Sequence, residues 1–330
     1  MVALRLFACS MAVFTSAAAD IVPGSEASTF VRHPPHPRPC WVFSHMNKSG
    51  GMTVRKMMSH LMSRQGFSHG LFDDREWTSG TAFAEHFVQK NFSLSYGGYT
   101  EGLRAFGDGS CKWFTVFRHP VSRLVSAFLY CHKRPKDQLC ATIVADAKDM
   151  TLLDFAKHWG NYGLRQFTLS FMSPEDVFDT NAVTTFCHGT RDRGDVCVPG
   201  WYKQKEYLAS GRSADGWYST IMPELTIARF LPKVEQIISK KYAAVGILER
   251  WEDTMNLFDA VLGIPGFSWI EQSKVAGVQN EDNRFRSVER DVLKGAWDDA
   301  NVKQFIWLDL LLYDHAIAVH ARQAGEQGVV

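Results

Sequence analysis

The chain has 330 residues, 45% of them hydrophobic, with 36 Lys and Arg against 35 Asp and Glu and a formal net charge of +1. That is apolar material for one large core or two smaller ones. It excludes the global cationic field that drives nucleic-acid or membrane-surface binding, so any anion site has to be local.

Residues 1–19 read as a signal peptide or short signal anchor. Arg5 supplies the positive start, Leu6 to Ala18 is apolar, and Ala17-Ala18-Ala19 is a small-residue cleavage pattern before Asp20. The apolar run is shorter than the ~20 residues of a membrane span, so cleavage is expected, and membrane attachment is expected only through an uncleaved segment. Residues 20–39 hold Pro23, Pro34, Pro35, Pro37 and Pro39 around His33, His36 and Arg38, the composition of an extended stem. A domain over 40–323 and a short tail, 324–330, complete the expected organisation.

The domain opens with an apolar strand, Cys40 to Ser44, a glycine-containing loop, His45 to Thr53, and a helical pattern from Val54 to Met62. Residues 66–80 read as loop and Thr81 to Lys90 as a helix, and Leu94 to Tyr99 reads as a short strand. A buried strand, Trp113 to Phe117, then leads through Arg118-His119-Pro120 into a helix with Val121, Leu124, Val125 and Phe128 on one face. Polar residues follow from His132 to Asp149. Helices are expected at Leu152 to Trp159 and from Asn161 to Phe171. The stretch 174–217, rich in Gly, Asp and Thr, reads as an irregular insertion. Leu225 to Lys241 is mainly helical, Tyr242 to Ile247 is a buried strand, and helices are expected at Trp251 to Leu262, Ser287 to Trp297 and Val302 to Arg322. Strands separated by helices, each ending in a polar turn, predict an α/β class: a P-loop-like open, mainly parallel sheet with helices on both faces.

Seven cysteines are present, and Cys9 falls in the signal segment. The remaining even number behind a signal points to disulfides. Cys131/Cys140 and Cys187/Cys197 are the nearest pairs in sequence and the expected bridges, with Cys40 and Cys111 left unassigned. There is no Cys-x-x-Cys pair and the histidines are scattered, so no metal site is expected. Asn47 and Asn91 both open glycosylation sequons. A glycan on Asn47 would block the opening loop, so that position is expected to stay unmodified.

The loop His45-Met46-Asn47-Lys48-Ser49-Gly50-Gly51-Met52-Thr53 has the makings of an anion cradle. Unpaired N–H groups and the positive dipole end meet at a helix N-terminus, glycine permits close approach, and Lys48 adds a full charge. It is not a Walker A loop, because Lys48 precedes Gly50-Gly51 rather than following the last glycine, and no Gly-x-Gly-x-x-Gly fingerprint is present. That order, with the signal segment, argues against a nucleotide kinase. The second turn sets Arg118 at a strand end, where open α/β sheets bind ligands, with Arg123 and Ser126 on the helix that follows.

Together these segments resemble the carbohydrate sulfotransferases of the Golgi type. His45 to Thr53 is similar to their 5′-phosphosulfate loop. Arg118 to Ser126 is similar to their 3′-phosphate segment. Val245-Gly246-Ile247-Leu248-Glu249-Arg250-Trp251-Glu252 resembles a strand-to-helix junction of the same branch. Asn161 to Arg165 and the closing helix with Leu308-Asp309 and Tyr313-Asp314 resemble further elements. The resemblance implies 3′-phosphoadenosine 5′-phosphosulfate (PAPS) as sulfuryl donor, 3′-phosphoadenosine 5′-phosphate as product, a glycan acceptor, no nucleic-acid partner, and residence in the Golgi lumen or membrane, or secretion after cleavage. It implies donor contacts from Lys48, Ser49, Gly50, Gly51, Met52, Thr53, Arg118, Arg123 and Ser126, with Lys48 catalytic at the bridging oxygen. Asn47, Ser49 and Met52 depart from the family's usual Pro, Thr and Thr.

The general base is the weak point. Uronyl 2-O-sulfotransferases carry a His on a short strand between the two loops, and Ser95 to Tyr99 here has none. Glu101, the nearest carboxylate, is the first substitute, with His86 and His45 as others. A catalytically silent nucleotide- or glycan-binding relative is therefore the second reading.

Overall fold

The computed structural model describes residues 39–65, 69–72, 93–97, 111–134, 150–164, 167, 185–190, 194–199, 217–219, 228, 231–276 and 285–329. The chain divides into two compact units, Met1–Val31 and Arg32–Val330, and every described residue lies in the second. The stem, the Thr81–Lys90 helix, Asn91 and the signal segment lie outside the described residues.

Strand β1 (Cys40–Ser44) is buried along its whole length. A strand covered on both faces by helices must be apolar throughout, which is why it reads as a continuous run rather than an alternation. It is followed by α1 (Gly51–Gln65), β2 (His69–Phe72), β3 (Leu94–Gly97) and β4 (Cys111–Phe117). Helices α2 (Pro120–Lys133) and α3 (Leu152–Trp159) come next. Pro120 opens α2 at a position where a missing N–H costs nothing, and Thr151 caps α3 by accepting from the Asp154 amide at 3.1 Å. Strands β5 (Thr185–Thr190), β6 (Gly194–Pro199) and β7 (Trp217–Ser219) precede α4 (Leu231–Lys241) and β8 (Tyr242–Ile247). The chain closes with α5 (Trp251–Leu262), α6 (Trp269–Ala276), α7 (Phe285–Trp297), α8 (Ala300–Lys303) and α9 (Trp307–Glu326). Gly263, left-handed at φ 57°, ends α5.

The main sheet has five parallel strands in the order β2-β3-β1-β4-β8. Its two faces alternate along the strands except at the start of β8, where the pairing with β4 slips by one residue between Tyr242 and Ala244. On one face Phe117, Tyr242, Val245 and Ile247 pack under Val234 and Ile238 of α4 and Leu308, Leu312, Ala316 and Val319 of α9. On the other, Trp41, Phe43, Phe114, Val116 and Ala244 meet Val54, Met57, Met58 and Leu61 of α1, Met255, Phe258 and Leu262 of α5, and Trp269 of α6. The α1 residues recur at helical spacing and put one stripe against the sheet. Each such side chain, fully buried, contributes roughly 1.5–3 kcal/mol. Helices α2, α3, α7 and α8 share a third cluster around Phe155 and Trp159. The expected open parallel α/β sheet, with helices on both faces, is what the chain forms.

Three expectations change, and one open question closes. Residues 66–80 hold a strand, β2, at the sheet edge. The stretch 174–217 supplies strands β5 and β6 and the first residue of β7 to a three-stranded antiparallel sheet, β6-β5-β7, in which Cys187 stands opposite Cys197. The closing helix is two helices, α8 and α9, and the second runs to Glu326. The disulfide pattern gains a pair that was left unassigned. Cys40 and Cys111 are bonded, with Cα atoms 4.6 Å apart, because parallel pairing of β1 with β4 sets them side by side despite a separation of 71 residues. Cys131 is also disulfide-bonded, while Cys140 lies outside the described residues.

Candidate functional site at the ends of strands β1 and β4

The order of the strands locates the site. From β1 the chain travels to the far edge, returns through β3, and then crosses to β4 on the other side of β1. The order reverses at β1, and open α/β sheets hold ligands at the carboxyl ends of strands flanking such a reversal. The two segments singled out in the sequence, after β1 and after β4, both start there.

Ser44 anchors the first. Its carbonyl accepts from Thr115 Oγ1 at 2.8 Å and its Oγ accepts from the Tyr242 hydroxyl at 2.8 Å. The loop then turns sharply. The Ser49 amide donates to Met46 O at 3.3 Å, and Lys48 and Gly50 take φ values of 64° and 79°. A left-handed lysine is uncommon, since its Cβ crowds the following carbonyl. The amides of Thr53 and Val54 donate to Gly50 O at 3.0 and 3.3 Å. Gly51 opens α1, and any side chain there would run into the His45 imidazole. His45 in turn stacks on Phe43, with ring centroids 5.9 Å apart. Burial, with Arg55 and Lys48 adding positive charge, lowers its pKa to about 4, so the ring is neutral near pH 7.

The candidate side chains of this loop lie in contrasting settings. Ser49 is 1% exposed and its hydroxyl is without a hydrogen-bond partner. Thr53 is also buried, whereas Met52 is exposed. Lys48 is half-buried, with its Nζ 4.0 Å from the centroid of the Tyr130 ring on α2. Asn47 Nδ2 donates to the Tyr162 hydroxyl at 2.8 Å, a bond that a glycan on that nitrogen would disrupt.

The second segment reaches the first directly. Arg118 Nη1 donates to the Lys48 carbonyl at 3.4 Å. His119 stands at the N-cap of α2, its amide donating to Glu249 Oε1 at 2.9 Å, while Glu249 Oε2 accepts from the Tyr313 hydroxyl at 2.9 Å. The His119 ring stacks on Trp297 at 4.2 Å, and burial lowers its pKa. Glu249 thus ties the turn after β4 to the turn after β8 and to α9. Ser126 is half-buried on α2.

Arg123, expected among the donor contacts, has another place. It is 3% exposed and ion-paired with the equally buried Asp309 of α9. The Asp309 carboxylate also accepts from the amides of Gly163 and Leu164 at 3.1 and 2.7 Å, and Asn161 Oδ1 accepts from the amides of Leu308 and Asp309. The guanidinium lies near the Trp159 and Tyr162 rings, and an added Cβ at Gly163 would meet it at 2.7 Å. Arg123 therefore joins α2, the Asn161–Leu164 turn and α9.

Lys48, Ser49, Gly50, Gly51, Met52, Thr53 and Arg118 are thus brought together, Ser126 lies on the adjoining helix, and Arg123 is set behind them. Glu101 and His86 lie outside the described residues. Tyr130 and Tyr162 were not singled out in the sequence. Tyr130 could have been, because Arg123, Ser126 and Tyr130 follow one another at helical spacing. Tyr162 could not, since nothing local links it to Asn47. Among the described residues no group of three His, Cys, Asp or Glu could hold a metal ion, and no helix is long and apolar enough to cross a membrane. Compared with known proteins, the chain matches no family model and no curated protein sequence.

Proposed function

We propose that this chain is a PAPS-dependent O-sulfotransferase that modifies a carbohydrate hydroxyl in the secretory pathway, on a P-loop-like sheet with its phosphate loop after β1. The observation that carries the proposal is Ser49. A buried hydroxyl without a partner costs about 1–3 kcal/mol. This one lies two residues before a 15-residue helix, at whose start the amides of Gly51 and Met52 have no intrahelical acceptor. A phosphate oxygen would satisfy both. The resemblance of both strand-end segments to the donor-binding segments of carbohydrate sulfotransferases makes that phosphate part of PAPS.

In this reading the amides of Gly50 to Met52 and the hydroxyls of Ser49 and Thr53 hold the 5′-phosphate, the Ser49 and Thr53 amides being turned to Met46 O and Gly50 O, and Arg118 and Ser126 hold the 3′-phosphate. Arg123 is left out of the contacts, because its charge is committed to Asp309. The donor supplies a sulfuryl group on a phosphate leaving group. The acceptor oxygen forms a new bond to sulfur as the bond from sulfur to the bridging oxygen breaks, and the acceptor proton passes to a base. The electron pair of the broken bond remains on the phosphate, where Lys48 meets the developing charge more strongly in the transition state than in the ground state. Glu101 remains the first candidate for that base, with His86 and His45 as the others.

The alternative, a silent relative that binds nucleotide or glycan, draws on one feature: β3, Leu94–Gly97, carries neither imidazole nor carboxylate. Transfer of label from PAPS to a panel of glycans separates the two, and transfer to none supports the silent relative. The expected thermal shift with adenosine 3′,5′-bisphosphate exceeds that with ATP. Equal shifts would overturn the donor assignment for both.

A further inference from the structure

We propose that Tyr130 is a positioning residue for Lys48, an inference that rests on the sulfuryl-transfer reading of the site. A lysine ammonium rides on a flexible four-carbon stem, so a left-handed loop alone fixes only where the stem begins. The structure restrains both ends. The φ of 64° at Lys48 sets the direction in which the side chain leaves the loop. The Tyr130 ring, carried by a different element, receives the ammonium at 4.0 Å from its centroid. Both residues are half-buried, a setting in which the attraction between a cation and the negative face of an aromatic ring is only partly screened. It corresponds to roughly a two- to thirtyfold bias in population.

The choice of an aromatic partner has a chemical consequence. A carboxylate would hold the ammonium equally well, but it would cancel the charge and compete with the oxygen that the ammonium has to meet. A ring face holds the cation without neutralising it. Arg134, at the end of α2, lies over the same ring, its guanidinium carbon 5.5 Å from the centroid, so Tyr130 meets one cation from the loop and one from its own helix end. The reaction places the electron pair of the cleaved bond on the bridging oxygen. Holding Lys48 where that pair appears lowers the barrier without changing how the nucleotide is bound. The effect belongs in kcat rather than in KM.

The experiment replaces Tyr130 by Phe, then by Phe analogues carrying one, two and three ring fluorines, which drain the ring face while nearly preserving its shape, and separately by Leu. Labelled-PAPS turnover and the thermal shift with adenosine 3′,5′-bisphosphate are read for each, beside wild type and Lys48→Ala. Tyr130→Phe is expected to retain kcat within about twofold. The fluorinated series should lower kcat stepwise to roughly tenfold below Phe, with KM for PAPS and the nucleotide shift unchanged within twofold, and Lys48→Ala should abolish transfer. Should Tyr130→Leu misfold, the fluorinated series still decides. A flat kcat across that series in an active enzyme overturns the role of Tyr130 alone. Loss of kcat that tracks loss of thermal stability, rather than fluorination, also overturns it. Wild type without transfer, or Lys48→Ala with full turnover, overturns the underlying reading and this inference with it.

Discussion

Arg118 and Arg123 stand little more than a helical turn apart and have opposite surroundings. Arg118 keeps one nitrogen on the Lys48 carbonyl and remains half-exposed at the strand end. Arg123 is 3% exposed against an Asp309 exposed to the same degree. Substituting one member of a buried ion pair strands its partner, at a cost of about 3–5 kcal/mol, whereas removing a half-exposed side chain costs under about 1 kcal/mol. Arg123→Ala is therefore expected to lower the urea midpoint sharply or to leave the protein insoluble. Arg118→Ala should fold normally and raise KM for PAPS about tenfold or more. Comparable stabilities for the two variants would contradict this division. Their difference was not legible in the sequence, where both belong to one motif-like run, because the deciding partner, Asp309, lies 186 positions from Arg123.

Elements that were legible are those whose own composition answers to their environment. Strands β1, β4 and β8 are buried on both faces and stand out as apolar runs, and α1, α2 and α5 show apolar residues at helical spacing. Those that were missed depend on partners elsewhere. Strand β2 has four residues, one of them glycine, and exists by pairing with β3. The strands of the 174–217 stretch likewise owe their form to antiparallel pairing. Helix α6 has eight residues and starts where Asp259 of α5 accepts from the amides of Trp269 and Ile270. The helical segment at 161–164 was legible as the start of a helix, but not its contacts. It reaches the opening loop through the Tyr162 hydroxyl on Asn47, while the Tyr162 ring stacks on Trp159 at 4.4 Å. Tyr162→Phe keeps the stack and removes that bond, whose net contribution is about 1 kcal/mol. The expected result is a loss of about that size in stability and a weaker shift with adenosine 3′,5′-bisphosphate, since the loop loses an anchor. An unchanged nucleotide shift would show that Asn47 does not help to set the cradle.

On the scale of the whole molecule, the two strands that carry the candidate site are joined at the opposite end from it. Cys40 and Cys111 bond where β1 and β4 begin, and the loops of interest lie where those strands finish. Closing a loop of 71 residues is worth about 4 kcal/mol in the chain-entropy account, with 2–5 kcal/mol usual for native bridges. Cys40→Ser and Cys111→Ser should each lower stability by that order. The double variant should cost little more than either single one, because they remove the same bond. Additive losses would mean that the cysteines act separately. The bridge could not be read from spacing, since it depends on strand order and register, which only the folded sheet supplies.

Acid should act on the same molecule through its enclosed histidines. His45 is lowered from 6.5 to about 4 by burial first, then by Arg55 and Lys48, and burial also lowers His119 and His320. All three are neutral in the folded state at pH values where the unfolded chain takes up protons. The unfolded state therefore binds more protons as pH drops below about 6.5, and stability falls with it. For His45 the contribution is fully present above 6.5, declines through the window from 6.5 to about 4, and levels off below that. With part of the ring's surface still accessible, its size is on the order of 1–3 kcal/mol. Urea midpoints measured every half unit from pH 7.5 to 4 should fall steadily below 6.5 in the wild type. They should fall less steeply in His45→Asn, which cannot titrate. Parallel profiles for the two proteins would show that His45 takes up its proton as readily in the fold as outside it, and would remove the enclosed imidazole from the account of how Gly51 and the start of α1 are held.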